Sequence, residues 1–137
     1  MLPGVRPGPE NHLRIARPAR DLARAERFWV EGLKLEVLLR IGPDAEEEHA
    51  LLMVGWPQAA WHLELVEDPS GETPPAPTAE DLLVLYLGGP IDEELIDRLI
   101  DAGGERVPSR NPYWDEWGVT IRDPDGYLLV LSHRSWP

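Results

Sequence analysis

The 137-residue chain contains no cysteine. Disulfide staples, thiol catalysis and thiolate metal sites are therefore excluded. Positive charge is scarce: 13 Lys and Arg stand against 25 Asp and Glu, for a net charge of −12. A nucleic-acid binder needs a basic footprint to displace counterions, and an anionic membrane surface attracts the same kind of patch. Neither partner is expected. No apolar run approaches the roughly 20 residues that span a bilayer. The opening MLPGVRPGPEN has no apolar segment of the kind a secretory signal carries, and a cytoplasmic protein is the expectation. There is no G-x-S-x-G nucleophile turn. Gly88-Gly89-Pro90 is too short for a phosphate loop and reads as a strand-to-helix turn.

What is present is a pattern of short strands and turns, with 42% hydrophobic residues to fill an interior. The clearest stretch is GVTIRDPDGYLLVLSHRSW, residues 118–136. Two apolar runs flank Asp123-Pro124-Asp125-Gly126, whose residue order suits a type I turn. This predicts a hairpin with its second strand over 127–132. A weaker echo lies mid-chain, where the alternating strand 61–67 runs into Asp68-Pro69-Ser70-Gly71. Two such units in one short chain suggest a duplicated module.

The rest of the chain fits that reading. Residues 1–10 are rich in Pro and Gly and read as a flexible arm. Strands are expected over 12–17, 33–41, 49–55 and 61–67, with a helix over 19–31 that buries Phe28 and Trp29 and stops at Gly32. The acidic run 44–48 reads as a solvated loop. Residues 68–80 are Pro-rich and read as a linker. The unbroken apolar run 82–87 predicts a strand buried on both faces. A second amphipathic helix spans 92–102, with Leu95, Ile96, Leu99 and Ile100 as its buried stripe. A strand starts at 105, and 108–117 reads as an aromatic loop or irregular edge. The organisation expected is one compact domain of two modules, 11–67 and 81–137.

HLRIARPARDLARAERFWVEGLKLEVL and DPDGYLLVL together resemble the opening and the closing hairpin of the vicinal-oxygen-chelate superfamily, which includes glyoxalase I, bleomycin-resistance proteins and extradiol dioxygenases. The resemblance covers 12–132. It implies an α+β fold in which two βαβββ modules form a cupped, barrel-like mixed sheet with helices outside, around a small-molecule pocket. It also implies four metal-ligand slots. Two are filled, by His12 and Glu64. The register puts Leu82 or Leu83 in the third and Val130 in the fourth, and these side chains offer no lone pair.

Period-two alternation puts His12 and Arg14 on one face of the first strand, and His62 and Glu64 on one face of the fourth. His12, His62 and Glu64 form a candidate two-His-one-carboxylate set for Zn, Ni, Fe or Mn. The alternative is a His12–Glu64 hydrogen-bonded pair that lines a pocket with no cofactor. Arg14 either holds a ligand's carboxylate or phosphate or balances Glu64. Tyr113 and Trp114, in an aromatic-rich segment, are expected either near the pocket mouth, where a flat ligand would stack, or packed on the second sheet's edge. His133 reads as rim and His49 as exposed. Three functions stay open: a protein that pockets a small organic molecule beside an incomplete metal site; a metal-dependent lyase, isomerase or dioxygenase using His12 and Glu64; and a homodimeric scaffold.

Overall fold

Apolar alternation and turn chemistry build the same unit twice. A computed structural model describes residues 3–44 and 49–137. The first unit runs β1 (Leu13–Pro18), α1 (Leu22–Glu26) continuing into a π-helical turn (Arg27–Gly32), β2 (Glu36–Ile41), β3 (Ala50–Gly55) and β4 (Trp61–Glu67). The second runs β5 (Leu82–Tyr86), α2 (Glu93–Asp101), β6 (Glu105–Val107), α3 (Pro112–Trp117), β7 (Gly118–Arg122) and β8 (Leu128–Ser132). Each forms a four-stranded mixed sheet, ordered β1-β4-β3-β2 and β5-β8-β7-β6. In both, the first and last strands pair in parallel and the other neighbours pair antiparallel. This is an α+β fold of two βαβββ modules.

Helix starts follow the side chains that can satisfy free backbone N–H groups. Asp21 accepts from Arg24 N, Asp92 from Glu94 N and Asn111 from Tyr113 N. The first helix then widens: Leu33 N donates to Phe28 O, five residues back. Phe28 and Trp29 both lie fully inside, edge to face with centroids 4.9 Å apart. They join Leu52 and Val54 of β3, Leu63 and Leu65 of β4, Ile96 and Leu99 of α2, and Val119, Ile121, Leu129 and Leu131 of the second sheet in one core. The helix-bearing faces of both sheets therefore share a single interior. The opposite face of β4 carries His62 and Glu64 by alternation.

The modules meet closely. A Cβ added at Gly104 would lie 2.7 Å from Ile121 Cγ2 and 2.8 Å from both Leu99 O and Phe28 Cε2. Arg98 Nε donates to Gly32 O at 2.8 Å, and Arg20 N donates to Asp125 Oδ1 at 2.9 Å. The Arg17 guanidinium sits 4.5 Å over the Tyr127 ring. The closing hairpin forms as its residues require. Gly126 N bonds to Asp123 O, and Asp123 Oδ1 accepts from Asp125 N and Tyr127 N.

Several expectations are corrected. Asp68–Gly71 follows β4, whereas Asp123–Gly126 precedes β8. The two DP-x-G turns are therefore not equivalent positions, and the duplication shows instead in the matching strand orders. Residues 82–86 form the edge strand β5, half-buried rather than buried on both faces. Ile100 of the expected buried stripe is 40% exposed, while Ile96 and Leu99 are buried. Segment 108–117 contains the short helix α3, started by the Asn111 cap and Pro112 at its first position. The first helix begins after Asp21 and its π-helical continuation ends at Gly32, where an added Cβ would meet Leu99 and Ala102. The left-handed residue that follows is Lys34. Of the acidic run 44–48, residues 45–48 lie outside the described residues. Among the described residues no helix is long and apolar enough to cross a membrane.

Two outcomes follow. Gly104→Ala must push apart backbone and two core side chains, so denaturant unfolding should show a loss of about 1–3 kcal/mol; a loss below about 0.5 kcal/mol would mean the modules can separate freely. Burial pushes the Asp123 carboxyl up from 3.8 to about 6, against the two backbone N–H donors that favour its ionised form. The folded chain then holds this proton more tightly than the unfolded chain between about pH 4 and pH 6. The Asp123 contribution to stability is therefore greatest below that window and falls by up to ~3 kcal/mol as pH rises through it. Asp123→Asn keeps the acceptor oxygen and removes the titration. The stability difference between the two proteins should change across pH 4–6; parallel curves would contradict the assignment.

Candidate functional site

The parallel pairing of β1 with β4 decides which side chains meet. Arg14 lies opposite His62 and Ala16 opposite Glu64. His12 precedes the strand and sits two positions before Arg14, four along from the level of Glu64, which is ~13 Å at 3.3 Å per residue. The structure accordingly joins four of the six site residues singled out from sequence. His12 Nε2 and His62 Nδ1 are 2.6 Å apart with ring centroids at 4.8 Å. Arg14 Nε donates to His62 Nε2 at 3.2 Å, and Arg14 Nη1 lies 3.5 Å from Glu64 Oε1. The His12–Glu64 pairing is thereby corrected: His12 pairs with His62, and Arg14 is the residue beside the carboxylate.

These contacts dictate a proton arrangement. Arg14 can only donate, so Nε2 of His62 must accept. A neutral His62 then carries its proton on Nδ1 and donates it to His12 Nε2. Burial keeps the His62 pKa below the usual imidazole value, with His12 and Arg14 adding to the effect and Glu64 opposing it. His62 is buried; the Arg14 side chain is 52% exposed and that of Glu64 15%.

The walls come from residues that sequence reasoning passed over. A Cβ at Gly55 would lie 3.1 Å from His62 Cβ and 3.3 Å from Leu38 Cδ1. Glycine is what lets both approach the β3 backbone. A glycine inside an apolar strand is the signal for such a close approach. Leu38 sits where the β2–β3 register shifts, and Met53 pairs with Glu64 across β3 and β4. The cluster therefore has an apolar flank.

Tyr113 and Trp114 lie elsewhere. They pack edge to face on α3, centroids 5.0 Å apart, and the Tyr113 hydroxyl accepts from Arg134. Arg134 also lies over Trp117, and His133 packs against the same indole. His49 is exposed and lies 3.5 Å from Asp68. Two cavities, of about 440 and 380 Å³, are lined by Arg24, Arg27 and Pro124 and by Pro77, Arg110 and Leu128, among others. The four-residue cluster borders neither.

The donor set does not suit a metal. Both His62 nitrogens are engaged, one by Arg14 and one by His12. A guanidinium stands between His62 and Glu64, and a cation placed there would have to displace it. Val130 and Leu82 pair with Val84 and Leu128 on an apolar patch of the second sheet. Among the described residues no group of three or more His, Cys, Asp or Glu is arranged to hold an ion.

Residues 13–66 match the YycE-like N-terminal domain and residues 80–133 the YycE-like C-terminal domain. The YycE protein of Bacillus subtilis strain 168 is 40% identical over 123 residues, 88% of this chain and 86% of that protein.

The chain belongs to the YycE-like family.

The crystal structure of the Bacillus subtilis YycE protein superposes with a TM-score of 0.82 at 34% identity, covering 93% of each chain. Glyoxalase I of Leishmania major shares the fold at a TM-score of 0.67 and 20% identity, covering 90% of this chain and 86% of that one. TnmS3, an antibiotic-binding protein from Streptomyces sp. CB03234, does so at 0.58 and 24%, covering 91% and 96%. The chain thus shares the fold of glyoxalase I and of TnmS3, the fold that the strand and hairpin motifs imply.

Proposed function

We propose that this YycE-like protein binds a small organic molecule on the open face of its first sheet, around Arg14 and His62, without a metal. The observation that carries this reading is the Arg14 contact pair. A guanidinium joined to both His62 and Glu64 supplies a permanent cation where a metal-dependent relative would need a vacant coordination position. The partly exposed Leu38 side chain gives a ligand body apolar surface to rest on. The antibiotic-binding relative supports the same kind of role on this fold, as analogy only. The metal-dependent reading is disfavoured by the same contacts, because His12 and Glu64 are held by different partners.

Two measurements test the proposal. Protein purified without tag or chelator should hold well under one equivalent of Zn, Ni, Fe or Mn by elemental analysis. A screen of aromatic acids, quinones and glycopeptide antibiotics, followed by side-chain NMR of His12 and His62, should give saturable shifts that His62→Ala abolishes. A full equivalent of tightly bound metal would overturn the metal-free reading. A screen with no saturable shift at either histidine would overturn the pocket.

A further inference from the structure

We infer that the site selects a monocarboxylate with an apolar body, and that Arg14 is the residue that selects it; this rests on the pocket reading above and narrows its ligand class.

The inference starts from the donors of a guanidinium, which carries five N–H groups in a planar fork. In Arg14 the Nε–H is used on His62, and Nη1 faces Glu64 in a single contact of 3.5 Å. No second oxygen closes the fork, so the Arg14–Glu64 pair is not the parallel two-bond arrangement that saturates a guanidinium. The Nη2 donors and one on Nη1 have no partner in those two contacts. The side chain is half exposed, while its two holders are largely buried. Arg14 is therefore fixed from behind and open in front. That is the disposition of a group that receives an oxyanion, because its orientation is settled before the ligand arrives.

Three further features restrict what arrives. Leu38, brought over Gly55 close to His62, offers partly exposed apolar surface beside the cluster. Glu64 shares the local positive charge, and the chain as a whole carries −12. A dianion such as phosphate would meet that field twice over, whereas a single carboxylate is met by one guanidinium. His62 accepts the Arg14 Nε–H on Nε2, so that nitrogen offers no second donor to an anion. The chemistry that fits is one carboxylate on an apolar or aromatic frame.

The test uses benzoate, its uncharged isostere benzamide, benzylamine and inorganic phosphate as probes, on full-length protein treated with chelator and then dialysed. Binding is read from the Met53 methyl and His62 ring signals. Benzoate should bind roughly tenfold or more tighter than benzamide, and more tightly than benzylamine or phosphate, with no added metal. Arg14→Gln, checked for unchanged thermal unfolding, should erase the benzoate preference, and Arg14→Lys should restore part of it. Equal binding of benzoate and benzamide would overturn the inference while leaving the pocket reading intact. So would preference for benzylamine or phosphate, a requirement for metal, or a preference that survives Arg14→Gln. Failure of all four probes to shift either signal would overturn the inference, and the wider screen above then decides the pocket reading separately. Were Arg14→Gln to unfold, the benzoate-to-benzamide ratio on the unaltered protein still decides the point.

Discussion

Everything in this molecule depends on the contact between its two modules, where bare backbone at Gly104 meets Ile121, Leu99 and Phe28. The two four-stranded sheets bury their apolar residues in one shared core. Each sheet turns one face inward, and the widened turn at Phe28 and Trp29 together with α2 fills the space shared by both. With those faces committed to the core, period-two alternation sends the polar side chains of β1 and β4 to the opposite faces of their strands. His62, Glu64 and Arg14 lie on the open face because Leu63, Leu65 and Ile15 lie on the other.

The site then follows from register. Parallel pairing of β1 and β4 sets Arg14 against His62 and brings its outer nitrogen to Glu64. His12 is left to cap the far end of the line. The result is a chain of contacts running from a permanent cation through His62 to His12. Such a chain needs no added ion to balance it. Where the resemblance to the vicinal-oxygen-chelate superfamily implies metal-ligand slots, this YycE-like protein holds His12 with His62 and Glu64 with Arg14.

Much of this was legible in the residues. Alternation at 61–67 announced a strand with one polar face, the Asp123–Gly126 order announced a hairpin, and Asp92 announced a helix start. The four polar residues of the site could be named because period two needs no knowledge of the neighbours. Their pairing was not legible, since alternation says which face a residue takes and not which residue stands opposite. Hence His12 was matched to Glu64, and Arg14 remained a choice between two roles. The burial of β5 was misjudged because an apolar run does not say whether a strand is central or at an edge. Helix α3 was missed because six residues are too few for a period to show, although the Asn111-Pro112 pair carried its cap. Gly55 in an apolar strand marks a close approach, but which side chain approaches, here Leu38, is a property of two strands together.

The central claim is that Arg14, as a donor, fixes His62 in one neutral form. Long-range ¹H–¹⁵N correlation of the histidine rings at neutral pH reads this directly. The expected spectrum shows His62 neutral with its proton on Nδ1 and Nε2 bare, and Arg14→Gln should raise its pKa by removing both a neighbouring charge and the donor that favours the neutral ring. A His62 that is an imidazolium at neutral pH, or that carries its proton on Nε2, would contradict the account.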